Sequence, residues 1–340
     1  MLINVHSDFL LDAIRQYEQN GSTSLLRSCR DTLEAGRVDA VVCTVGGDGS
    51  SFPAGHARTL DYLRCAVGLA EESAGAFRVA HSAREMKEAK QRGSIALLLG
   101  LEGGHALEGR IDNLVRFHRE GLRWLGLTWN GSNELGDGCG ETVNGGLTAF
   151  GREVVLTANR LGILVDLSHT SRATSDDAVR ISRAPTIASH SNAATLCSHP
   201  RNLTDEQIHK IARHGGVIGV NFFPALLVAG RPPTGHDILA HIRHITRLAG
   251  CGHVALGPDF VGPGSLETLQ SRAESRGVDY GEHFHYPPGF SDEGCFPRVE
   301  RLMADMGMKH VDVSRIMGNN VMRVLREVER ESGCLRQACP

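Results

Sequence analysis

The sequence predicts an α/β fold in the form of a (β/α)8 barrel of the TIM type, and three observations support this prediction. About eight short runs are apolar throughout, which is typical of strands buried on both faces of a sheet. Helical patterns lie between these runs, and strands that alternate with helices form parallel sheets. Polar residues follow many of the runs, which favours a closed barrel over an open doubly wound sheet.

The predicted strands are short, and helical signals separate them. The strands comprise residues 2–5, 40–45, 95–101, 122–127, 163–167, 186–189, 217–220 and 254–256. Thr204 and Gln207 form the capping box of one predicted helix, and apolar residues at helical spacing predict two more, around residues 111–118 and 317–328. Stretches rich in glycine and proline predict loops at residues 46–56, 136–146 and 261–291, and the last is long enough to be a lid or an insertion.

Composition predicts one globular catalytic domain over residues 1–330, followed by a polar tail at residues 331–340. The 340 residues are 41% apolar and 22% charged with a net charge of −3, which gives no reason to expect nucleic acid, so the expected partners are small molecules. No apolar run approaches the roughly 20 residues of a membrane span, and the first run leaves no room for a signal peptide. The nine cysteines form no C-x-x-C pair, as expected for reduced thiols. We therefore expect a cytoplasmic protein, and the sequence leaves open whether it forms a homo-oligomer.

Residues that can bind metal ions follow several predicted strands. His6 and Asp8 follow the first strand, and their spacing places both side chains on one face. Glu102, His169 and His190 each follow a later strand. Taken singly, each has an ordinary alternative, namely a surface pair, a solvated turn glutamate or a hydrogen-bonded core histidine. Taken together at the strand exits of one barrel, they predict a site for two metal ions.

The chemistry of these side chains favours zinc and hydrolysis. A mixture of imidazole and carboxylate ligands suits zinc, so two zinc ions per chain are the expected cofactors. Two ions that share a carboxylate lower the pKa of a shared water, which becomes the nucleophile, and they polarise a substrate carbonyl. Asp259 follows the last strand and is placed to move protons between that water and the leaving group, whereas its alternative role is a helix cap.

Long motifs of the chain resemble the membrane (renal-type) dipeptidases. They include LEGGHAL at residues 101–107, VDLSH at 165–169, ASHSN at 188–192 and HPRN at 199–202. The resemblance extends over nearly the whole chain. It implies a metal-dependent hydrolase barrel of the amidohydrolase type that hydrolyses dipeptides with two zinc ions.

Matching motifs also imply a role for each metal-binding residue. By this resemblance His6 and Asp8 hold one ion, His169 and His190 hold the other, and Glu102 bridges the two.

The resemblance further implies how the substrate is bound. Arg201 binds the C-terminal carboxylate of the dipeptide, a role that suits a planar guanidinium with two parallel donors, and Asp259 transfers protons. Without the resemblance, Arg201 is simply a loop arginine in a surface ion pair.

Two positions depart from the family pattern. Trp129 stands where many members have a histidine that polarises the substrate carbonyl oxygen. An indole offers one N–H donor and a broad apolar face, so either it replaces the donor in a different way or oxyanion support falls mainly to zinc. We predict that Trp129 contacts the substrate, and the alternative is a packed residue behind the fourth strand. Pro258 and Val261 replace a serine and an aspartate that are common in the family, which leaves substrate preference open.

The predicted function is therefore that of a binuclear zinc dipeptidase. One alternative is a related amidohydrolase that acts on another amide, such as an N-acyl amino acid or a biosynthetic dipeptide conjugate. Another is a metal-binding relative without catalytic activity. Metal content and turnover of a dipeptide panel distinguish the three.

Overall fold

Parallel strands form a single sheet in the computed structural model, which describes residues 1–46, 55–261 and 284–338. The strands of the described residues are β1 (Ile3–Ser7), β2 (Ala40–Gly46), β3 (Phe77–Val79), β4 (Ile95–Glu102), β5 (Leu122–Gly126), β6 (Leu164–Asp166), β7 (Ile187–Ala188), β8 (Val217–Val220) and β9 (Val254–Leu256). They pair in the order β1-β2-β4-β5-β6-β7-β8-β9, and β3 pairs with β4 outside this path.

The two ends of the sheet approach each other and form a nearly closed barrel. No ladder of hydrogen bonds joins β9 to β1 among the described strands. The two ends are nevertheless close, since the Val5 side chain would lie 3.1 Å from a Cβ atom at Gly257, just after β9. Such a Cβ atom would also lie 1.9 Å from the Ser189 carbonyl oxygen, so this close approach requires glycine.

Helices surround the barrel. They are α1 (Phe9–Asn20), α2 (Ser24–Ala35), α3 (His56–Glu72), α4 (Ala83–Gln91), α5 (Ile111–Arg119), α6 (Ala149–Leu161), α7 (Arg172–Ile181), α8 (Asp205–Arg213), α9 (Pro224–Leu227), α10 (Gly235–Ala249), α11 (Phe296–Asp305), α12 (His310–Ser314) and α13 (Asn320–Ala338). The predicted capping box of Thr204 and Gln207 begins α8 and is confirmed. In the part of the chain described, no helix combines the length and apolar character needed to cross a bilayer.

Side chains from alternate strand positions fill the barrel interior. Val5, Val42 and Leu98 belong to one buried cluster with Val321 and Val324 of α13. Because packed side chains fill the barrel, the carboxyl ends of the strands are where polar groups can meet a ligand.

The structure confirms the predicted barrel and all eight predicted strands, whose ends lie within two residues of the predicted ones. The prediction missed β3, a three-residue strand in which Arg78 is exposed and which pairs only with the beginning of β4.

The C-terminal part differs from the prediction in two respects. The apolar face predicted around residues 317–328 is divided, since Arg315–Asn319 forms a separate wide turn before α13 begins. A Cβ atom at Gly318 would lie 2.5 Å from the Met1 carbonyl oxygen, so the chain approaches the N-terminus closely at this point. Helix α13 extends to Ala338, so most of the predicted polar tail is helical. Most of the predicted loops at 46–56 and 261–291, including the predicted lid or insertion, lies outside the described residues.

Candidate functional site

The predicted metal-binding and proton-transfer residues meet at the carboxyl ends of the barrel strands. His6 lies in β1 and Glu102 ends β4, while the other side chains come from the segments just after β1, β6, β7 and β9. Ligand atoms of these residues fall into three groups, in each of which they lie within 4.8 Å of one another: His6, Asp8 and Glu102; Glu102, His169 and His190; His6, His190 and Asp259. The structure therefore brings together residues that are far apart in the sequence.

Glu102, His169 and His190, which we call the paired-histidine cluster, lie closest together. Glu102 Oε1 is 2.9 Å from His169 Nε2 and 3.4 Å from His190 Nε2. The two Nε2 atoms are 2.9 Å apart. Zinc ligands at about 2.0–2.1 Å in a tetrahedral arrangement are separated by about 3.3 Å, so this spacing fits three ligands of one ion.

His6, Asp8 and Glu102, which we call the single-histidine cluster, are more widely spaced. His6 Nε2 is 3.7 Å from Glu102 Oε1 and 3.8 Å from Asp8 Oδ1. His6 is fully buried, and neither ring nitrogen has a hydrogen-bond partner within the described residues. A buried nitrogen without a partner is costly, and a cation bound at His6 would satisfy it. The donor types present at both clusters thus fit a divalent metal such as zinc.

Outer hydrogen bonds fix the two histidines of the paired-histidine cluster. His169 Nδ1 lies 2.7 Å from Asn130 Oδ1, and because an amide oxygen only accepts, Nδ1 carries the hydrogen. His190 Nδ1 lies 2.7 Å from Ser189 Oγ, and that hydroxyl donates in turn to the Asp166 carboxylate. Both Nε2 atoms are thereby left without a hydrogen and face Glu102 as acceptors, the form in which a histidine binds metal.

Asp8 and Asp259 also have hydrogen-bonded neighbours. Thr44 Oγ1 donates to Asp8 Oδ1 at 2.8 Å, while the Asp8 side chain remains 32% exposed. Asn221 Nδ2 donates to Asp259 Oδ2 at 3.1 Å, and the Tyr286 hydroxyl donates to the Asp259 carbonyl oxygen at 2.6 Å. Asp259 Oδ1 lies 3.5 Å from His6 Nε2. One carboxylate oxygen of Asp259 is thus held by an amide while the other faces the site.

Left-handed backbone conformations occur at two of these residues. His169 has a φ of 67° and Asp259 a φ of 60°. Residues other than glycine adopt this region infrequently, and such conformations concentrate at functional sites. Here they turn the chain sharply as it leaves β6 and β9.

Burial and neighbouring charges shift the pKa values of the site. Burial lowers the pKa of His169 to about 3, and the nearby Arg201 guanidinium lowers it as well. Burial disfavours the Glu102 carboxylate, but the neighbouring imidazoles of His6, His169 and His190 outweigh burial and hold the pKa of Glu102 well below its usual value. Burial and the Glu102 carboxylate raise the pKa of Asp8 to about 7. An unprotonated imidazole and an ionised Glu102 are the forms that bind metal.

Arg201 lies beside a cavity of about 370 Å³ that His169 also lines. Only 8% of Arg201 is exposed, yet no carboxylate lies within 4.0 Å of its guanidinium in the described ranges. Its Nη2 donates to the His190 carbonyl oxygen at 3.0 Å, and its Nη1 donates to Ser191 Oγ at 3.4 Å. The structure therefore places the buried, positively charged guanidinium of Arg201 next to the metal-binding residues and beside a cavity.

Trp129 is partly exposed and stacks on the ring of His169, with ring centroids 5.7 Å apart and an interplanar angle of 24°. Trp129, at which the sequence departs from the family pattern, therefore contacts one of the predicted metal-binding residues. Sequence reasoning missed the hydrogen-bonded neighbours Asn130, Ser189, Thr44 and Asn221, although the first two lie next to residues it had singled out.

Comparison with known proteins identifies related sequences. The family model described as Membrane dipeptidase (Peptidase family M19) matches residues 1–272. Dipeptidase aclJ of Aspergillus oryzae is 32% identical over 252 residues, which cover 73% of this chain and 55% of that protein. An uncharacterized dipeptidase of Schizosaccharomyces pombe is 31% identical over 313 residues, which cover 88% of this chain and 63% of that protein. The chain thus spans 55 to 63% of the length of these two curated relatives.

Solved structures share the fold over almost the entire chain. An amidohydrolase from Pseudomonas aeruginosa is 27% identical with a TM-score of 0.84, and the match covers 96% of both chains. A metallo peptidase from Rhodobacter sphaeroides, liganded with a phosphinate mimic of the dipeptide L-Ala-D-Ala, is 25% identical with a TM-score of 0.76 and coverage of 96% and 99%.

Proposed function

The chain belongs to the membrane dipeptidase family, and we propose that it is a binuclear zinc dipeptidase that uses water to hydrolyse the peptide bond of a dipeptide. The main support is the meeting of two clusters of imidazole and carboxylate groups that share Glu102 at the carboxyl ends of the strands. In this proposal His6 and Asp8 hold one ion, His169 and His190 hold the other, and Glu102 bridges them. When bound, the ions supply an activated water and polarise the substrate carbonyl.

Arg201 binds the C-terminal carboxylate of the substrate in this proposal. A guanidinium that is 92% buried and lacks a carboxylate partner in the described residues is costly unless an anion joins it. The adjoining cavity of about 370 Å³ gives a carboxylate access to it. A dipeptide has its carboxylate one residue from the scissile bond, whereas a longer peptide does not, so this contact selects for length.

Asp259 moves the proton. Burial disfavours its carboxylate, but His190 and His6 outweigh burial and lower the pKa of Asp259, so it is ionised at neutral pH. An ionised carboxylate can take a proton from the attacking water and pass it to the leaving amine. Asn221 holds one of its oxygens, which leaves the other directed toward His6.

Trp129 forms an apolar wall of the substrate site. Its ring lies on His169, and an indole at this place offers a broad face to apolar substrate side chains. Because the family histidine is absent here, either the indole N–H of Trp129 would replace its donor in a different way or bound metal ions would supply most of the oxyanion stabilisation.

The Rhodobacter protein, whose structure contains a dipeptide mimic, supports dipeptides as the substrate class. A second candidate function is hydrolysis of another amide at the same site, such as an N-acyl amino acid or a dipeptide conjugate. The similar Pseudomonas protein, which is described as an amidohydrolase, supports this second candidate.

The test is to remove metal from the purified protein with a chelator, restore zinc in steps, and assay dipeptides and N-acyl amino acids in parallel. We expect dipeptide hydrolysis that depends on zinc and about two zinc ions per chain. Hydrolysis of N-acyl amino acids alone would favour the second candidate. Zinc binding without hydrolysis of either class would contradict both and indicate a binding protein.

A further inference from the structure

Hydrogen bonds within the protein hold the histidines of the paired-histidine cluster in their metal-binding form. Asn130 accepts the Nδ1 hydrogen of His169, and Ser189 accepts that of His190. Ser189 is itself anchored, because it donates to the buried Asp166 carboxylate. Neither imidazole needs to change tautomer or rotate to present its Nε2 lone pair.

His6 in the single-histidine cluster lacks such support. Its Nδ1 atom has no hydrogen-bond partner in the described part of the chain, so nothing there fixes which nitrogen carries the hydrogen. Asp8 is 32% exposed, and the single-histidine cluster also has the wider spacing of 3.7–3.8 Å around His6 Nε2. Ion binding there must order the imidazole and draw the donors together.

Electrostatics alone would favour the opposite order. Asp8, Glu102 and Asp259 surround His6 and attract any divalent cation, whereas Glu102 is the carboxylate at the paired-histidine cluster. Two considerations outweigh this attraction for zinc. Zinc prefers imidazole over carboxylate more than hard cations do, and outer hydrogen bonds to metal ligands change metal affinity by about 10–100-fold.

We propose that the two clusters bind zinc with unequal affinity, and that the paired-histidine cluster fills first because Asn130 and Ser189 position its histidines. Asn130 and Ser189 are thus positioning residues that act through His169 and His190. The inference rests on the proposed binuclear site and concerns the order in which that site fills.

The order is tested by titrating the metal-free protein with zinc against a chromophoric chelator. We expect two binding classes separated by about tenfold or more. Crystals grown with one equivalent of zinc should give an anomalous difference peak between Glu102, His169 and His190. A peak beside His6 and Asp8, or equal peaks at both places, would overturn the proposal.

Matched variants test whether the hydrogen bonds to the histidines determine the order in which zinc fills the two clusters. Asn130→Ala should weaken the first zinc class by about tenfold and leave the second unchanged, while Asn130→Asp, which keeps an acceptor for His169, should restore it. Thr44→Val removes the hydrogen bond to Asp8 and should affect only the second class. If Asn130→Ala weakens both classes equally, or if Asn130→Asp does not restore the first, the positioning role is wrong.

The proposed function and the order of filling fail in different ways. Two equal zinc classes in an active dipeptidase would refute the order alone. A protein that binds no zinc would refute the binuclear site and the order with it.

Discussion

Truncation of Arg201 tests how the substrate is recognised. The guanidinium is 92% buried, opens on a cavity, and has no carboxylate within salt-bridge distance in the described residues. If the substrate carboxylate pairs with this guanidinium, Arg201→Ala removes a buried, charge-assisted contact that can involve two parallel hydrogen bonds. Such a loss costs about 2–4 kcal/mol, which corresponds to a fall in kcat/KM of about 30–1000-fold.

Arg201 also donates to the His190 carbonyl oxygen at 3.0 Å, so its removal could disturb the metal-binding residues without any effect on substrate. A double cycle separates these effects. The parent and Arg201→Ala proteins are each assayed with a free dipeptide and with the same dipeptide as its C-terminal amide, and zinc content is measured in both proteins.

We expect the parent to hydrolyse the amide poorly, and the substitution to reduce kcat/KM for the free dipeptide far more than for the amide. Arg201→Lys should recover only part of the loss, because an ammonium group lacks the planar pair of donors. Equal turnover of dipeptide and amide by the parent would refute the carboxylate contact. An equal loss for both substrates, accompanied by lower zinc content, would show instead that Arg201 supports His190.

Three further predictions follow from other parts of the structure. Glu102→Ala should abolish activity and reduce zinc content at both clusters, since they share this carboxylate; full occupancy by elemental analysis would contradict the shared role. Trp129→His should raise kcat/KM for an alanyl dipeptide relative to a phenylalanyl one, whereas an unchanged ratio means that the indole does not contact the substrate. Burial raises the pKa of Glu293, which receives a hydrogen bond from Asn4, so folding favours its neutral form and the ionised form costs stability as pH rises. Glu293→Gln should therefore increase Tm more at about pH 8 than at about pH 4, as thermal unfolding at both pH values can establish.

The barrel could be predicted from the sequence because its strands are apolar throughout. Runs such as residues 95–101 have no polar position that water could solvate, so only burial on both faces fits them. Strand β3 lacks this signal, because Arg78 at its centre is exposed and its stability depends on pairing with β4.

The predicted site residues share a different signal, which is their position just after a strand. Parallel strands end on one face, so this local property implies proximity without any knowledge of the loops. The hydrogen-bonded neighbours carry no comparable signal. Asn130 looks like an ordinary turn residue, and its contact with His169 depends on how two separate loops meet. Ser189 and Thr44 resemble any hydroxyl residue in a strand until their partners are known.

The junction between β1 and β9, which no ladder of hydrogen bonds spans among the described strands, has a consequence for the order of events during folding. The paired-histidine cluster draws its donors from β4, β6 and β7, so a chain that has not yet added its last strand can already assemble it. His6 meets Asp259 only after the first and last strands come together, where no ladder joins them in the described residues. An ion held by His6 and Asp8 would fix the end of β1 at this junction, and a ligand that binds only the native state stabilises it in proportion to the logarithm of the ligand concentration. Zinc starvation would then loosen the barrel at this place first, and it is there that we expect a protease to gain entry.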